Sequence, residues 1–425
     1  MRKHELYTWL ETDAFVESVK GCAYKDIEAQ RKRYKHVFDA FVEKFHVSTE
    51  DEIHVFSTSG RCEIGGNHTD HQYGRVLAAA IDKDLIAFVK TSSLPMVSVY
   101  STGFGMIECK LDDLRVSSDE YYTSSALIRG IAHKMSEKAT ISGLDIMMDS
   151  QVATGSGMSS SAAFEVLIGT IFNHVFAEQL FTAIEIAQIG QFAENVYFNK
   201  PCGLMDQMAA SVGGFVSIDF YDPAVPVVEK IDVSFDESHL KLVLIDTKGS
   251  HAGLSDEYGY MPKEMKEVAA LLGEQVLSRV TLDQFLKHCA SLRHKVSDRA
   301  LLRSYHFLKE TERAKLQAQA LNQRNFQQFL DLVNESGRSS FMYLQNVITS
   351  GAVDEQPLAL ALALVEAILK TEGAYRVHGG GLAGSILAFV PQDKVNQIQE
   401  VMEGVFGADA VVILNLRSIG STKII

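Results

Sequence analysis

The segment that most constrains the fold is a run of glycine and serine residues between a predicted strand and a predicted helix. The strand covers Leu144–Ser150, the apolar helical run covers Phe164–Phe176, and the segment from Val152 to Ala163 reads VATGSGMSSSAA. Glycine lets a backbone approach a ligand closely, and a helix N-terminus presents free N–H groups to an anion. The segment therefore predicts a site for a nucleotide phosphate. A serine cap on an ordinary helix is the structural alternative.

Composition narrows the class of protein. The chain has 425 residues, enough for two domains, and its formal net charge of −14 argues against a nucleic-acid partner. Its five cysteines include no C-x-x-C pair, which is typical of reduced thiols in a cytoplasmic protein. The start has no signal-peptide pattern, and the longest apolar run, Leu358–Leu369, is too short to span a bilayer. We expect a cytoplasmic protein without nucleic-acid or membrane partners, either a monomer or a weak homodimer.

The order of predicted elements favours an α+β fold. Ile27–Phe45 has the spacing of an amphipathic helix, and short strands and turns follow it. Pro223 and Pro226 mark the predicted boundary between an N-terminal domain, 1–222, and a C-terminal domain, 223–425. The second half is mainly helical and ends in a strand–strand–helix–strand run typical of a ferredoxin-like layer. Further predictions are strands at Ala78–Ile81 and Leu85–Lys90 and a helix at Thr182–Phe198.

A first group of polar residues lies in the glycine-rich turn from Ser59 to His71. Arg61, His68 and Asp70 there have the donors and acceptors that rigid recognition of sugar hydroxyls needs. A solvated loop with an Asx turn explains the same pattern, and the residues alone slightly favour that explanation.

Two carboxylates further along the chain are candidates for chemistry. Asp206 follows Pro201-Cys202-Gly203 among apolar neighbours, so it needs a cationic partner such as Arg61, unless it only caps the following helix. Glu194 could hold Mg²⁺ together with a serine hydroxyl of the phosphate loop, although its spacing alone favours an exposed helical glutamate.

A second glycine-rich segment lies between two predicted strands near the end of the chain. Four glycines occur in the six residues Gly379–Gly384. This density costs backbone entropy, so the segment predicts a close approach of the backbone to a ligand or to another loop.

Taken together, these stretches resemble the motifs of the GHMP small-molecule kinases, and within them those of the galactokinase family. Gly60 to Asp70 is similar to the sugar signature, Gly155–Ser161 to the ATP loop, Cys202–Gln207 to the segment with the catalytic aspartate, and Gly379–Gly384 to the C-terminal glycine motif. The resemblance implies a two-domain α+β fold, in which a ribosomal-S5-like N-terminal domain precedes a ferredoxin-like C-terminal domain with added helices.

The resemblance also implies an activity, which is ATP-dependent phosphorylation of the C1 hydroxyl of D-galactose. Asp206 would be the catalytic base or an orienting carboxylate, Arg61 would stabilise developing charge, and Glu194 with Ser161, or with Ser160, would hold Mg²⁺. The implied sugar contacts are Asn67, His68, Asp70 and Tyr258; the implied ATP loop is Gly155, Ser156, Gly157, Met158, Ser159, Ser160 and Ser161; the glycine motif is Gly379, Gly380, Gly381 and Gly384.

The sequence departs from the galactokinase pattern in the sugar motif. Asn67 stands where the family has a glutamate that would contact the C6 hydroxyl of the sugar, and the run Asp70-His71-Gln72 is similar to galacturonate kinase. Loss of a negative charge would tolerate a C6 carboxylate, so a galacturonate kinase is the alternative activity. A non-catalytic sugar sensor of the same family is an alternative of another class, which the intact set of candidate catalytic residues disfavours.

Overall fold

Two β-sheets organise the chain, which a computed structural model describes over residues 1–152, 157–233, 235–250, 254–351 and 353–425. The strands of the described residues are β1 His54–Gly65, β2 Arg75–Thr91, β3 Met96–Ser101, β4 Gly105–Lys110, β5 Leu144–Ser150, β6 Phe215–Asp219, β7 Val227–Ile231, β8 Leu240–Asp246, β9 Ala374–Val377, β10 Ser385–Pro391, β11 Val411–Leu414 and β12 Thr422–Lys423. The α+β fold class predicted from the sequence is confirmed.

Helices cover the faces of both sheets. They are α1 Lys3–Glu11, α2 Asp13–Ser18, α3 Ile27–Lys44, α4 Ser124–Ser136, α5 Ser160–Val175, α6 Ala183–Phe192, α7 Met205–Val212, α8 Ser255–Leu271, α9 Leu282–Leu292, α10 Asp298–Asn322, α11 Phe326–Ser339, α12 Pro357–Leu369 and α13 Val395–Phe406. Side-chain caps start several of them, as where Thr182 and Glu185 form a capping box on α6. Within the described ranges, no helix combines the length and the apolar character that crossing a bilayer requires.

The larger sheet has the strand order β12-β1-β2-β5-β3-β4, and β6 and β7 extend it from β2. The two predicted strands Ala78–Ile81 and Leu85–Lys90 are parts of the single long strand β2. The acidic residue Asp84 between them is fully buried in that strand, where Arg33 and Arg417 lie 2.7 and 3.3 Å from its oxygens. Ion pairing from distant parts of the chain therefore keeps a charged residue in the middle of a strand.

The N-terminal helices form a separate layer on this sheet. Trp9 and Phe15 pack edge to face with Tyr34, and Phe38 stacks on Phe88 of β2. This aromatic cluster is buried. Residues 1–28, for which the sequence predicts no role, therefore belong to the packing of the larger sheet.

The smaller sheet is antiparallel, with the order β11-β8-β10-β9. Helices α12 and α13 pack on its strands through an apolar cluster that includes Val243, Ile386 and Ile398. The strand–strand–helix–strand run predicted at the end of the chain is present as β9, β10, α13 and β11, and β8, from earlier in the chain, pairs with both β10 and β11.

The predicted domain boundary after residue 222 falls between two paired strands. β7 follows that boundary but is hydrogen-bonded to β6, and β12 pairs with β1. The division into 1–222 and 223–425 stays a prediction, and strand pairing assigns β7 and β12 to the N-terminal sheet.

Candidate functional site

The glycine–serine segment leads directly into helix α5. Ser159 occupies the N-cap position with a left-handed backbone (φ +59°), but its side chain makes no cap hydrogen bond. Its hydroxyl donates instead to Oδ2 of Asp206. Ser160 and Ser161 form the first turn of α5, and Met158 is buried, whereas the predicted ATP-loop residues Gly155 and Ser156 lie outside the described residues. Capping therefore does not explain Ser159, and the loop contacts the candidate catalytic carboxylate.

Arg61 and Asp206 form a two-point ion pair between strand β1 and helix α7. Nε and Nη2 of Arg61 each lie 2.7 Å from a different oxygen of Asp206, and Nη1 donates to the carbonyl of Gly157. The guanidinium is buried, while the carboxylate is 30% exposed and can meet a ligand. The structure thus contains the cationic partner that the sequence suggested.

This pair fixes the charge of both groups. Burial lowers the pKa of the Arg61 guanidinium, but the Asp206 carboxylate and, more weakly, Glu63 together outweigh burial, so this pKa is raised. Burial likewise raises the pKa of Asp206, but Arg61 and then the Ser159 hydroxyl hold that pKa below its ordinary range. Asp206 is therefore an anion at neutral pH and a strong hydrogen-bond acceptor.

Glu194 lies in a π-helical turn, Ala193–Tyr197, which interrupts the predicted helix Thr182–Phe198. Its side chain is 2% exposed, so it is not the exposed glutamate that spacing alone favours. Oε1 lies 3.5 Å from the hydroxyl of Ser161 and 2.9 Å from Nζ of Lys200. A carboxylate and a hydroxyl that face the same point suit Mg²⁺, which takes few protein oxygens and completes its shell with phosphate and water.

The residues around Glu194 determine which kind of metal site it can form. Within the described ranges, His, Cys, Asp and Glu side chains form no group of three or more arranged to hold a metal. The Lys200 ammonium lies beside the Glu194 carboxylate, where the metal ion would bind. Because the lysine side chain is half exposed, it can move into solvent when the ion binds. The residues present therefore fit a nucleotide-bound Mg²⁺ rather than a protein-only metal cage.

Asn67 faces the interior of the protein. Its amide nitrogen donates to Glu63 Oε1 (2.8 Å) and to the carbonyl of Gly379 (2.7 Å), and its oxygen accepts from Ser340 (3.1 Å) and Asn346 (2.8 Å). The residue is fully buried, and all its hydrogen-bonding capacity is used within the protein. The described geometry does not present Asn67 to a sugar, so the predicted contact with the C6 group has no support from it.

Asp70 lies near the candidate catalytic carboxylate of Asp206, and His68 lies near Asp70. His68 has a left-handed backbone (φ +55°), and its Nε2 lies 3.0 Å from the carbonyl of Gly380. Asp70 packs against Gly203, where an added Cβ would lie 1.8 Å from its Oδ2. Burial raises the pKa of Asp70, and the nearby charge of Asp206 raises it further, while His68 opposes them. The turn is therefore an ordered polar surface near Asp206 rather than a solvated loop.

The C-terminal glycine motif closes on the sugar motif. The carbonyls of Gly379, Gly380 and Gly381 accept hydrogen bonds from side chains that include Asn67, His68 and Tyr258, the last at 2.6 Å. Burial raises the pKa of Tyr258 to about 12. The carbonyl of Gly384 accepts from the backbone and the hydroxyl of Thr247. The glycines therefore permit close approach to another loop, which was one of the two predicted explanations.

Sequence reasoning missed a buried pair beneath the sugar motif. Nη2 of Arg376 lies 2.7 Å from Glu63 Oε1, and both side chains are buried. The Glu63 amide donates to Nε2 of His378, so that imidazole carries its proton on Nδ1, which faces Ser385 at 3.2 Å. An unexpected acidic residue in a strand, together with Arg376 next to the glycine motif, was the signal available.

A cavity of about 220 Å³ opens beside the phosphate loop. Its lining is mainly apolar and includes Met148, Val152 and Phe164 together with the hydroxyl-bearing Ser160 and Ser161, and Phe104 at its edge is 72% exposed. A flat apolar group that carries a phosphate chain, such as a nucleotide base, suits this combination. No sequence motif pointed to Phe104.

Comparisons with known proteins agree with this geometry. The family profile of the GHMP kinases N terminal domain matches residues 126–214, and the galactokinase galactose-binding signature matches residues 39–91. The first segment contains the phosphate loop, Glu194 and Asp206, and the second contains the sugar motif.

Solved structures share the fold. Galactokinase from Lactococcus lactis, complexed with galactose, superposes with a TM-score of 0.76 at 22% identity over 91% of this chain and 98% of that chain. Mevalonate kinase from Methanococcus jannaschii gives a TM-score of 0.61 at 13% identity over 85% and 98% of the two chains. A D-glycero-D-manno-heptose 1-phosphate kinase from Bacteriodes thetaiotaomicron gives 0.58 at 14% over 88% and 98%. The predicted GHMP kinase fold is confirmed.

Proposed function

We propose that this chain is a GHMP kinase of the galactokinase type, a sugar phosphotransferase that transfers the γ-phosphoryl group of ATP to the C1 hydroxyl of D-galactose. The products are galactose 1-phosphate and ADP. The observation that carries the proposal is the contact of Asp206 with both Arg61 and Ser159, since it joins the candidate acceptor site to the phosphate loop.

Asp206 orients the acceptor in this proposal. Its carboxylate, anionic at neutral pH, accepts a hydrogen bond from the C1 hydroxyl and aims the hydroxyl oxygen at the γ-phosphorus. The new C1–O–P bond forms as the bond between the γ-phosphorus and the bridging oxygen of ADP breaks, and the hydroxyl proton passes to Asp206. Because Arg61 keeps the pKa of Asp206 low, orientation contributes more than proton abstraction. Arg61 also adds positive charge near the transferred group.

The nucleotide lies along the start of helix α5 in this proposal. The loop from Gly155 to Ser161 binds the phosphates through backbone N–H groups and hydroxyls, and the cavity beside Ser160 takes the base. Glu194 and Ser161 would hold Mg²⁺, which neutralises phosphate charge when it is bound. ATP is the co-substrate of the family, and the magnesium ligands are our assignment.

The sugar is bound by the turn next to Asp206. His68, Asp70 and Tyr258 supply the polar contacts, while Asn67 supports the turn from inside through its four hydrogen bonds. Selection at C6 is therefore not assigned to Asn67. This removes the main argument for galacturonate as the substrate.

A panel of sugars tests the proposal. ADP release is measured with galactose, galacturonate, N-acetylgalactosamine and glucose, and phosphorus NMR locates the phosphate on the product. We expect turnover on galactose with the ester at C1, and loss of that turnover in Asp206→Asn. Turnover on galacturonate alone would replace the substrate. Sugar binding without turnover on any member of the panel would replace the kinase with a sensor.

A further inference from the structure

A buried amide lies between two buried carboxylates next to the proposed metal site. Gln207 follows Asp206 in helix α7 and is fully buried. Its Nε2 lies 2.9 Å from Oε2 of Glu165 on α5 and 2.9 Å from Oε2 of Glu194 in the π-helical turn. One side chain therefore connects three separate helical segments.

The orientation of this amide follows from its neighbours. With nitrogen toward Glu165 and Glu194, the two amide protons have one oxygen of each as acceptors, and Cys202 Sγ lies 3.8 Å away; with oxygen there, Glu194 would receive no donor from this side chain. Both protons of Nε2 are thus used, and the bridge holds Oε2 of Glu194. The other oxygen, Oε1, remains on the side of Ser161 and Lys200, where the proposed Mg²⁺ binds.

Without the bridge, Glu165 and Glu194 would lose their shared donor. A buried carboxylate that loses a hydrogen-bond donor is destabilised and turns toward any other donor within reach. Two other donors reach Glu194, both at Oε1: the Lys200 ammonium at 2.9 Å and the Ser161 hydroxyl at 3.5 Å, of which the charged ammonium is the stronger. Rotation toward Lys200 would take Oε1 away from Ser161.

We propose that Gln207 is the positioning residue of the magnesium–nucleotide site, because it fixes the Glu194 carboxylate with Oε1 facing the Ser161 hydroxyl. The inference rests on the proposed function, since it requires the metal site assigned there. This role of Gln207 is separate from the one proposed for its neighbour Asp206, which orients the sugar hydroxyl. Residues that orient a metal ligand typically contribute 10–100-fold to metal affinity.

The test measures metal binding directly and does not depend on turnover. Free Mn²⁺ is counted by electron paramagnetic resonance during titration of the full-length protein with ADP present. We expect Gln207→Leu, which keeps the volume but has no amide, to weaken Mn²⁺ binding by about 10–100-fold. The KM for the sugar should stay within about twofold of the wild-type value, because α7 and the sugar turn are unchanged.

Gln191→Leu is the matched control. Gln191 donates to the carbonyl of Cys202 in the loop before helix α7. Its replacement removes an amide hydrogen bond to that loop but leaves the hydrogen bonds of Glu165 and Glu194 intact. We expect its Mn²⁺ affinity to equal that of the wild type. Gln207→Met is a second variant, unbranched like glutamine, and it should also weaken binding through loss of the donor.

The outcomes separate this inference from the function on which it rests. Wild-type Mn²⁺ affinity in folded Gln207→Leu, or in Gln207→Met if the leucine variant does not fold, overturns the positioning role while the kinase assignment stands. An equal loss in Gln191→Leu also overturns it, because the effect would then be general loosening of the loop. Absence of phosphorylation with every sugar tested would instead remove the proposed function, whatever the metal affinity.

Discussion

Replacing Asp206 by asparagine tests the central contact of the site. The substitution keeps the shape but removes the charge, so the bond from Arg61 Nε to the remaining oxygen persists while Nη2 faces an N–H group. The acceptor for the sugar hydroxyl is weakened at the same time. We expect kcat to fall by about 10²–10⁴-fold, which corresponds to about 3–5 kcal/mol of lost transition-state stabilisation. Binding of ATP, which we assign to the phosphate loop and the start of α5, should change little.

The same substitution has a separate cost in folding free energy. Arg61 is buried and loses its counter-ion, and breaking one side of such a pair typically costs about 3–5 kcal/mol. Replacing both partners by apolar residues, Arg61→Met with Asp206→Val, should recover most of that stability, because no buried charge is then left unpaired. Urea unfolding gives the free energy of unfolding, and the coupled ADP assay gives kcat for each variant.

The combination of results decides whether the reasoning holds. The double variant should be more stable than Asp206→Asn yet equally inactive. A kcat for Asp206→Asn within about threefold of the wild type would refute the assigned role. A double variant no more stable than the single one would show that loss of the counter-ion is not the cause of the instability.

Three further perturbations follow from the structure. Glu194→Gln should raise the KM for Mg²⁺–ATP by about 10-fold or more in steady-state kinetics, because the proposed metal loses its charged ligand. Gly381→Ala should destabilise the fold by about 1–3 kcal/mol in urea, because φ is +75° and the new Cβ would lie 2.1 Å from the carbonyl oxygen of Asn346. Glu310→Gln should make the free energy of unfolding depend less on pH in acid. Burial raises the pKa of Glu310, but the neighbouring charges, first Arg313 and then His306, outweigh burial and lower this pKa to about 2. Since this folded pKa lies below the unfolded value, the stabilisation is complete above about pH 4.5 and is lost as pH falls toward 2.

Each of these has a control and a contradicting result. An unchanged KM for Mg²⁺–ATP in Glu194→Gln would remove that residue from the metal site. Gly404→Ala lies in open space on helix α13 and should instead raise stability by about 0.5–1 kcal/mol, so equal losses at both glycines would contradict the conformational argument. Glu312→Gln changes an exposed glutamate on the same helix as Glu310 and should leave the acid unfolding curve unchanged, whereas equal curves for both variants would exclude Glu310.

The parts of the site that sequence predicts are those in which chemistry and local pattern coincide. Asp206 among apolar neighbours requires a cation, and the structure supplies Arg61; glycine and serine before a helix predict a loop of which Ser159 contacts that aspartate. The need for a cation and the presence of the loop follow from residue type and a few neighbours in sequence, whereas Arg61, 145 residues from Asp206, was one candidate partner among the basic residues.

The parts that sequence does not predict depend on distant partners. Glu63 and Arg376 are 313 residues apart, and nothing near either one indicates the other. Asn67 is a polar residue in a predicted functional turn, yet its four partners come from three parts of the chain and draw it inside. Asp84 in β2 likewise pairs with Arg417, which is distant in sequence. The chain around Asp84 therefore forms one strand, although local hydrophobicity indicates two.

The pairing of β12 with β1 has a consequence for synthesis on the ribosome. Strand β1 carries Arg61, and its edge remote from β2 is covered by Thr422 and Lys423, with Arg417 hydrogen-bonded to Ser57 of the same strand. Arg417 follows its partner Ser57 by 360 positions, and Thr422 and Lys423 follow later still, so all three leave the exit tunnel long after β1 does. A nascent chain therefore exposes an unpaired β-edge throughout elongation, which makes that edge the place where chaperone capture or misassociation is expected.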